Sequence, residues 1–172
     1  MTTVFLTGGT GFIGSHLAEA LVARGHHVRA LVRSDPKWLA GTKVEVVKGD
    51  LSDPEVLWKA LDGVEYVYHV AGVTRATDDA AFEAGNVRAT LNLLGAVKMA
   101  APGVKKVMIT SSLAAVGTCA GGVATEETPL TPISRYGASK ARMEAALREK
   151  HDLTESYAEA LPLVVVRPPA VY

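Results

Sequence analysis

A glycine turn near the start constrains the architecture of this chain more than any other feature. Gly8, Gly11 and Gly14 are spaced as G-x-x-G-x-x-G within Thr7-Gly8-Gly9-Thr10-Gly11-Phe12-Ile13-Gly14, directly after the apolar run Val4-Phe5-Leu6. A helical pattern over residues 12–24 begins inside the turn. The first glycine permits a tight turn, the second lets backbone approach a pyrophosphate, and the third allows close helix–strand packing. The helix start adds free amides and a positive dipole end. An ordinary glycine-rich β-α turn is the plainer reading. Here strand, turn and helix all fall where dinucleotide binding needs them, so Gly8, Thr10, Gly11, Phe12, Ile13 and Gly14 are candidate cofactor contacts.

The rest of the chain repeats that strand–helix alternation. Strand-like apolar runs occur at residues 27–32, 43–48, 65–70, 105–110 and 163–167, with helical stretches at 54–61, 79–100 and 134–150. Near-continuous apolar strands bounded by turn residues suit a parallel sheet covered on both faces. In the 79–100 stretch, Val87, Leu91, Leu94 and Lys98 follow helical spacing, while Asp53-Pro54 and Pro102-Gly103 mark boundaries. The order β-α-β-β-α-β-α-β-α-β predicts one α/β domain over residues 1–172. Its sheet is doubly wound and mostly parallel, with helices on both faces, the Rossmann arrangement.

The end of the second strand bears on the choice of cofactor. NAD binders usually carry an acidic residue there for the ribose 2′-hydroxyl. This chain has Val32, then Arg33 and Ser34. An arginine at that point pairs with a 2′-phosphate, which favours NADP(H) over NAD(H); a solvated strand-end charge is the alternative. Asp50 and Leu51, after the third strand, are placed to border the adenine, although Asp50 also suits a turn cap. Val70-Ala71-Gly72 brings small residues to the end of the fourth strand.

Further along, Tyr136 and Lys140 are four residues apart on one predicted helix and share a face. A cation there stabilises a phenolate whose ordinary pKa is about 10. Alone, the pair occurs by accident on many surface helices. Ser111-Ser112 at the end of the fifth strand adds hydroxyls, and the aperiodic segment 113–133 between serines and tyrosine suits a loop bordering a substrate site.

In combination these residues resemble the short-chain dehydrogenase/reductase superfamily, in its extended epimerase/dehydratase branch. The matching stretches are the glycine turn, Gly49-Asp50-Leu51, Asn86-Val87-Arg88-Ala89-Thr90, Thr110-Ser111-Ser112, Tyr136-Gly137-Ala138-Ser139-Lys140 and Arg167-Pro168-Pro169-Ala170-Val171-Tyr172. Val28-Arg29-Ala30-Leu31-Val32-Arg33 looks more like the NADP-dependent, dihydroflavonol-reductase-like side. The resemblance implies hydride transfer at a hydroxyl/carbonyl carbon. Tyr136 would serve as acid/base and Lys140 would hold the nicotinamide ribose and lower the tyrosine pKa. Ser112 would orient the substrate oxygen, with Ser111 as its alternative, and Asn86 would support the site's hydrogen bonds. Tyr136, Lys140 and Pro168 also join the implied cofactor set. A homodimer built on the 79–100 and 134–150 helices is implied too. Relatives carry an aromatic where Val116 here meets Gly117 directly, which weakens any transfer of epimerase sugar contacts. They also continue past the Tyr172 motif into a substrate-closing region. The chain therefore reads as the dinucleotide-binding portion of a longer protein, and the isolated portion as idle.

Bulk properties exclude other classes. Eighteen basic residues balance eighteen acidic ones, so no nucleic-acid or membrane partner is indicated, and no apolar run has membrane-spanning length. The single cysteine, Cys119, fits a reducing, cytoplasmic setting and reads as inert. The histidines at 16, 26, 27, 69 and 151 lack ligand spacing, so no metal is expected. Arg75 and Arg88 read as surface charges. A small molecule is the expected partner. Carbonyl reductase competes with nucleotide-sugar epimerase or dehydratase. A non-catalytic NADP(H) sensor is the rival from another class, disfavoured because Tyr136, Lys140 and a serine are all kept.

Overall fold

The computed structural model describes residues 1–119, 121–150 and 155–171. Six strands form one sheet: β1 (Thr3–Thr7), β2 (His27–Val32), β3 (Glu45–Lys48), β4 (Tyr66–His69), β5 (Lys106–Thr110) and β6 (Leu163–Val166). Their order is β3-β2-β1-β4-β5-β6 and every pairing is parallel. This is the doubly wound Rossmann order, with β1 central and a crevice where the winding reverses between β1 and β4. Register there sets Thr7 opposite His69.

Alternate residues of each strand feed two cores. Phe5, Val67, Val107 and Ile109 pack with Leu57 and Leu61 of α2 (Pro54–Leu61), Leu93, Leu94 and Val97 of α4 (Ala89–Ala100), and Met143 and Ala146 of α5 (Arg135–Ala146). Val4, Leu6, Val28, Ala30 and Val32 pack instead on Ala18 and Leu21 of α1 (Phe12–Ala23). Each fully buried aliphatic side chain contributes about 1.5–3 kcal/mol of transfer free energy. Helices thus lie on both faces, but unevenly. Val164 and Val166 on β6 remain 42% exposed on the α1 face.

Strand and helix positions match the sequence-based expectation, with ends shifted by a few residues. The strongest difference is in residues 79–100. Instead of one helix, α3 (Asp79–Phe82) leads into a π-helical turn at Glu83–Arg88 and then α4. The extra residue in that turn lets Asn86 and Val87 both point inward. The buried stripe is consequently Val87, Leu93, Leu94 and Val97, with Leu91 and Lys98 only half-buried. α5 ends at Ala146, earlier than expected, and begins at Ser134, whose hydroxyl caps the Gly137 amide. A short α6 (Tyr157–Ala160), closed by a Ser156/Glu159 capping box, was not expected. His151 and Tyr172 lie outside the described residues.

Candidate functional site

The glycine turn closes on itself at the carboxyl end of β1. Gly11 N donates to Gly8 O across 3.0 Å, and Gly8 has φ +76°. A Cβ at Gly8 would come within 2.5 Å of Ala71 N, and one at Gly14 within 2.1 Å of Gly8 O. Neither position tolerates a side chain without backbone movement. Gly14 is therefore the packing glycine, while Gly11 caps α1 with no side chain competing for its first amides. Phe12 and Ile13 open the helix and are exposed.

From this turn a groove of about 1000 Å³ runs along the crevice. Among the expected cofactor residues, Gly8, Thr10, Gly11, Arg33, Asp50, Leu51, Val70, Ala71 and Gly72 line it. Arg33 stands at its wall, joined by Lys37, to which the sequence pattern assigns no role, and by Arg88, which reads from sequence as a surface charge. Asp35 does not line the groove; its carboxylate accepts from Lys37 N at 2.9 Å, in a turn where Lys37 has φ +48°. Asp50 takes the turn-capping role foreseen for it and also lies on the groove. It accepts from Ser52 N and Oγ, bonds that hold its carboxyl below the ordinary value.

Behind Gly72 lies the second part of the site. A Cβ on Gly72 would sit 3.1 Å from Asn86 Oδ1 and 3.2 Å from Lys140 Nζ. The absent side chain leaves the lysine ammonium next to the groove wall. Lys140 is 4% exposed, and its Nζ donates to Thr110 O at 2.8 Å. Burial pulls its pKa down to about 8, opposed by the charge of Glu144. The Asn86 carboxamide accepts from Val73 N (2.7 Å) and donates to Val73 O (2.9 Å) and Ser139 Oγ (2.8 Å). Ser139 Oγ in turn donates to Tyr136 O, on the first turn of α5. Tyr136 is half-buried with its ring 6.4 Å from that of Phe82.

The two serines separate by environment. Ser111 is buried and donates to Glu144 Oε1 at 2.6 Å. Ser112 is half-buried and accepts from Ala114 N, leaving its own hydrogen free to donate. Glu144, 1% exposed, also receives two bonds from Arg167, Nε at 3.0 Å and Nη2 at 2.7 Å. Burial would raise the Glu144 pKa, but Arg167 and Ser111 together hold it below the ordinary value. This cluster joins the ends of β5 and β6 to α5. Just beyond, Pro168 O accepts from Leu113 N, and Pro168 is half-buried, away from the groove lining. In the 113–133 segment, Gly117 (φ +75°) bridges to Thr131, so part of the loop is pinned.

Sequence reasoning gives His69 no role once metal ligation is set aside; its bonds to Thr7 and Thr90 depend on the β1–β4 register, which only the structure shows. Among the described residues no cluster of three or more His, Cys, Asp or Glu could hold a metal, and no helix is long and apolar enough to cross a membrane.

With this geometry in view, known proteins are informative. The family model "NAD dependent epimerase/dehydratase family" matches residues 4–172. The "Sterol demethylase protein B" of Methylococcus capsulatus is 36% identical over 176 residues, 98% of this chain and 51% of that protein. The "D-erythronate dehydrogenase" of Cupriavidus necator is 34% identical over 182 residues, 96% of this chain and 56% of that protein. A solved UDP-glucuronic acid 4-epimerase from Bacillus cereus, in complex with NAD, superposes with a TM-score of 0.80 at 25% identity, covering 99% of this chain and 58% of its own. The chain spans little more than half the length of these relatives. It is, in sequence and fold, a member of the NAD-dependent epimerase/dehydratase family of extended short-chain dehydrogenases/reductases, a family of enzymes.

Proposed function

We propose that this chain binds NADP(H) and supplies the acid/base machinery for hydride transfer at a hydroxyl/carbonyl carbon of a small molecule. The observation that carries the reading is the buried Lys140 ammonium directly behind Gly72, a groove-lining residue whose Cβ would sit 3.2 Å from Nζ. The glycine cradle fits a pyrophosphate, since no Cβ could be accommodated at Gly8 or Gly14. Arg33 and Lys37 would meet a 2′-phosphate, with Asp35 turned to its own backbone. Bound there, the dinucleotide supplies or accepts the hydride.

The protein's part is proton transfer and positioning. Tyr136 would exchange a proton with the substrate oxygen, and Ser112 would donate a hydrogen bond to that oxygen. Lys140, with its pKa near 8, is mostly charged at neutral pH and would hold the nicotinamide ribose. Asn86 would hold the start of α5 through Ser139 and the Val73 backbone through its carboxamide. The exposed groove cations favour the reductase version, whereas the NAD-bound epimerase neighbour favours NAD and sugar chemistry. A protein containing this chain at its relatives' length, given NADPH and a carbonyl panel and then nucleotide sugars, separates the two. Turnover of sugars without net cofactor consumption would sink the reductase. For the cofactor, R33A should erase most of an NADPH-over-NADH preference of about 10-fold or more. Equal affinities in the parent chain would refute it.

The same reading extends to setting and assembly. Balanced charge and the single cysteine support a cytoplasmic enzyme. The α3 and α5 faces, with exposed Ile133 and a groove of about 440 Å³ between them, support a homodimer. A concentration-independent monomer in sedimentation would count against it.

A further inference from the structure

The imidazole of His69 is 2% exposed and has a partner on each nitrogen: Thr7 Oγ1 at 2.7 Å from Nδ1 and Thr90 Oγ1 at 2.9 Å from Nε2. The polarity of those bonds is set from outside the ring. At one end Ala71 N, which can only donate, gives its hydrogen to Thr7 Oγ1 (3.2 Å). That takes one of the two lone pairs of Thr7 Oγ1 and leaves its hydrogen available to His69 Nδ1. At the other end the Asn86 carbonyl, which can only accept, takes the Thr90 hydroxyl hydrogen at 2.6 Å. Thr90 Oγ1 must therefore accept from Nε2. The one Thr90 hydrogen is committed, so Nε2 carries the ring proton, and a neutral ring then leaves Nδ1 to accept from Thr7.

We propose that His69 is a positioning residue, held as the neutral Nε2-protonated tautomer in a one-directional chain that runs Ala71 N–H, Thr7, His69, Thr90, Asn86 C=O and fixes the π-helical turn presenting the Asn86 carboxamide. The chain joins the β1 and β4 exits, where the groove wall begins, to the turn that holds Val73 and Ser139. An imidazolium would donate from Nδ1, reverse the bond to Thr7 and displace the Thr7 hydrogen from this partner. Burial first, and then the nearby Lys140 charge, keep the ring unprotonated. The catalytic consequence rests on the role given above to Asn86; the hydrogen-bond chain does not.

The test uses ¹⁵N-histidine NMR of the chain without cofactor. One histidine should show the neutral Nε2–H pattern unchanged from about pH 5 to pH 8 and disappear in H69Q. An Nδ1–H tautomer at this residue, or titration within that range, overturns the proposal. Should H69Q fail to fold, T90V interrupts the same chain. T90V should speed exchange of the Asn86 side-chain amide by about 10-fold, and T90S should restore it. Unchanged Asn86 exchange in folded T90V overturns the proposal. In the protein at its relatives' length, T90V should lower kcat by about 10-fold with the cofactor KM changed less than about 2-fold. Faster Asn86 exchange with an unchanged kcat would uphold the chain and count against the catalytic reading of Asn86.

Discussion

Lys140 Nζ lies 3.2 Å from the point where a Cβ on Gly72 would begin, so any side chain on this groove-lining glycine would press on the buried lysine. The same missing atom would lie 3.1 Å from Asn86 Oδ1, which is clamped by the Val73 backbone. Lysine can flex; the carboxamide is held.

Enlarging residue 72 therefore tests the construction of the site. G72V should cost about 1–3 kcal/mol of stability by overpacking and weaken cofactor binding by about 10-fold or more. Urea unfolding and fluorescence titration of NADPH would measure both. Unaltered binding would mean that Lys140 and the groove are not coupled through this gap.

Lys140 also makes stability depend on pH in a defined direction. Its folded pKa is near 8, below the ordinary 10.5, so between those values the unfolded chain binds the extra proton. The burial cost is fully present below about pH 8 and is relieved as pH rises toward 10.5. Relative to K140M, the parent chain should gain stability across that window, by at most about 1.4 kcal/mol per pH unit. A flat difference from pH 7 to 10 would show that the ammonium is better solvated than its burial indicates.

Glu144 and Arg167 give the opposite dependence. With its folded pKa held below the ordinary 4.5, the Glu144 carboxylate contributes stability above that value, lost as pH falls through the lower one. R167M strands a buried charge and should cost about 3–5 kcal/mol near pH 7. E144Q, which still accepts from Ser111, should cost about 1–3 kcal/mol. The R167M deficit should shrink as pH falls, because the stranded, buried carboxyl takes up a proton more readily than the paired one. Thermal melts across pH 3–7 would read this, and a pH-independent deficit would refute the charge argument.

The physical reasons why some features were legible from sequence are specific. The strands could be read because β-branched runs such as Val28-Arg29-Ala30-Leu31-Val32 enter a sheet buried by helices, and the glycines because the turn admits no Cβ at Gly8 or Gly14. The π-helical turn was not legible. Periodicity over residues 79–100 fits one helix, and the widening is tied to tertiary bonds from Val73, His69 and Ser139. Ser111 and Ser112 were indistinguishable as neighbours until Glu144, on another element, engaged the first. Lys37 escaped notice because it follows the strand-end motif, in a turn where its own φ is +48°, and only the fold shows that it shares the groove lining with Arg33. Arg88, read as a surface charge, is exposed as expected and yet lines the groove as well.

The most direct test of the account is Y136F in a protein containing this chain at its relatives' length, assayed for hydride transfer alongside NADPH affinity. Loss of the acid/base hydroxyl should lower kcat by about 100- to 10,000-fold while the cofactor Kd stays within about 3-fold. Activity within about 3-fold of the parent, with cofactor binding intact, would contradict the assignment of proton transfer to Tyr136 and favour a binding module without that chemistry.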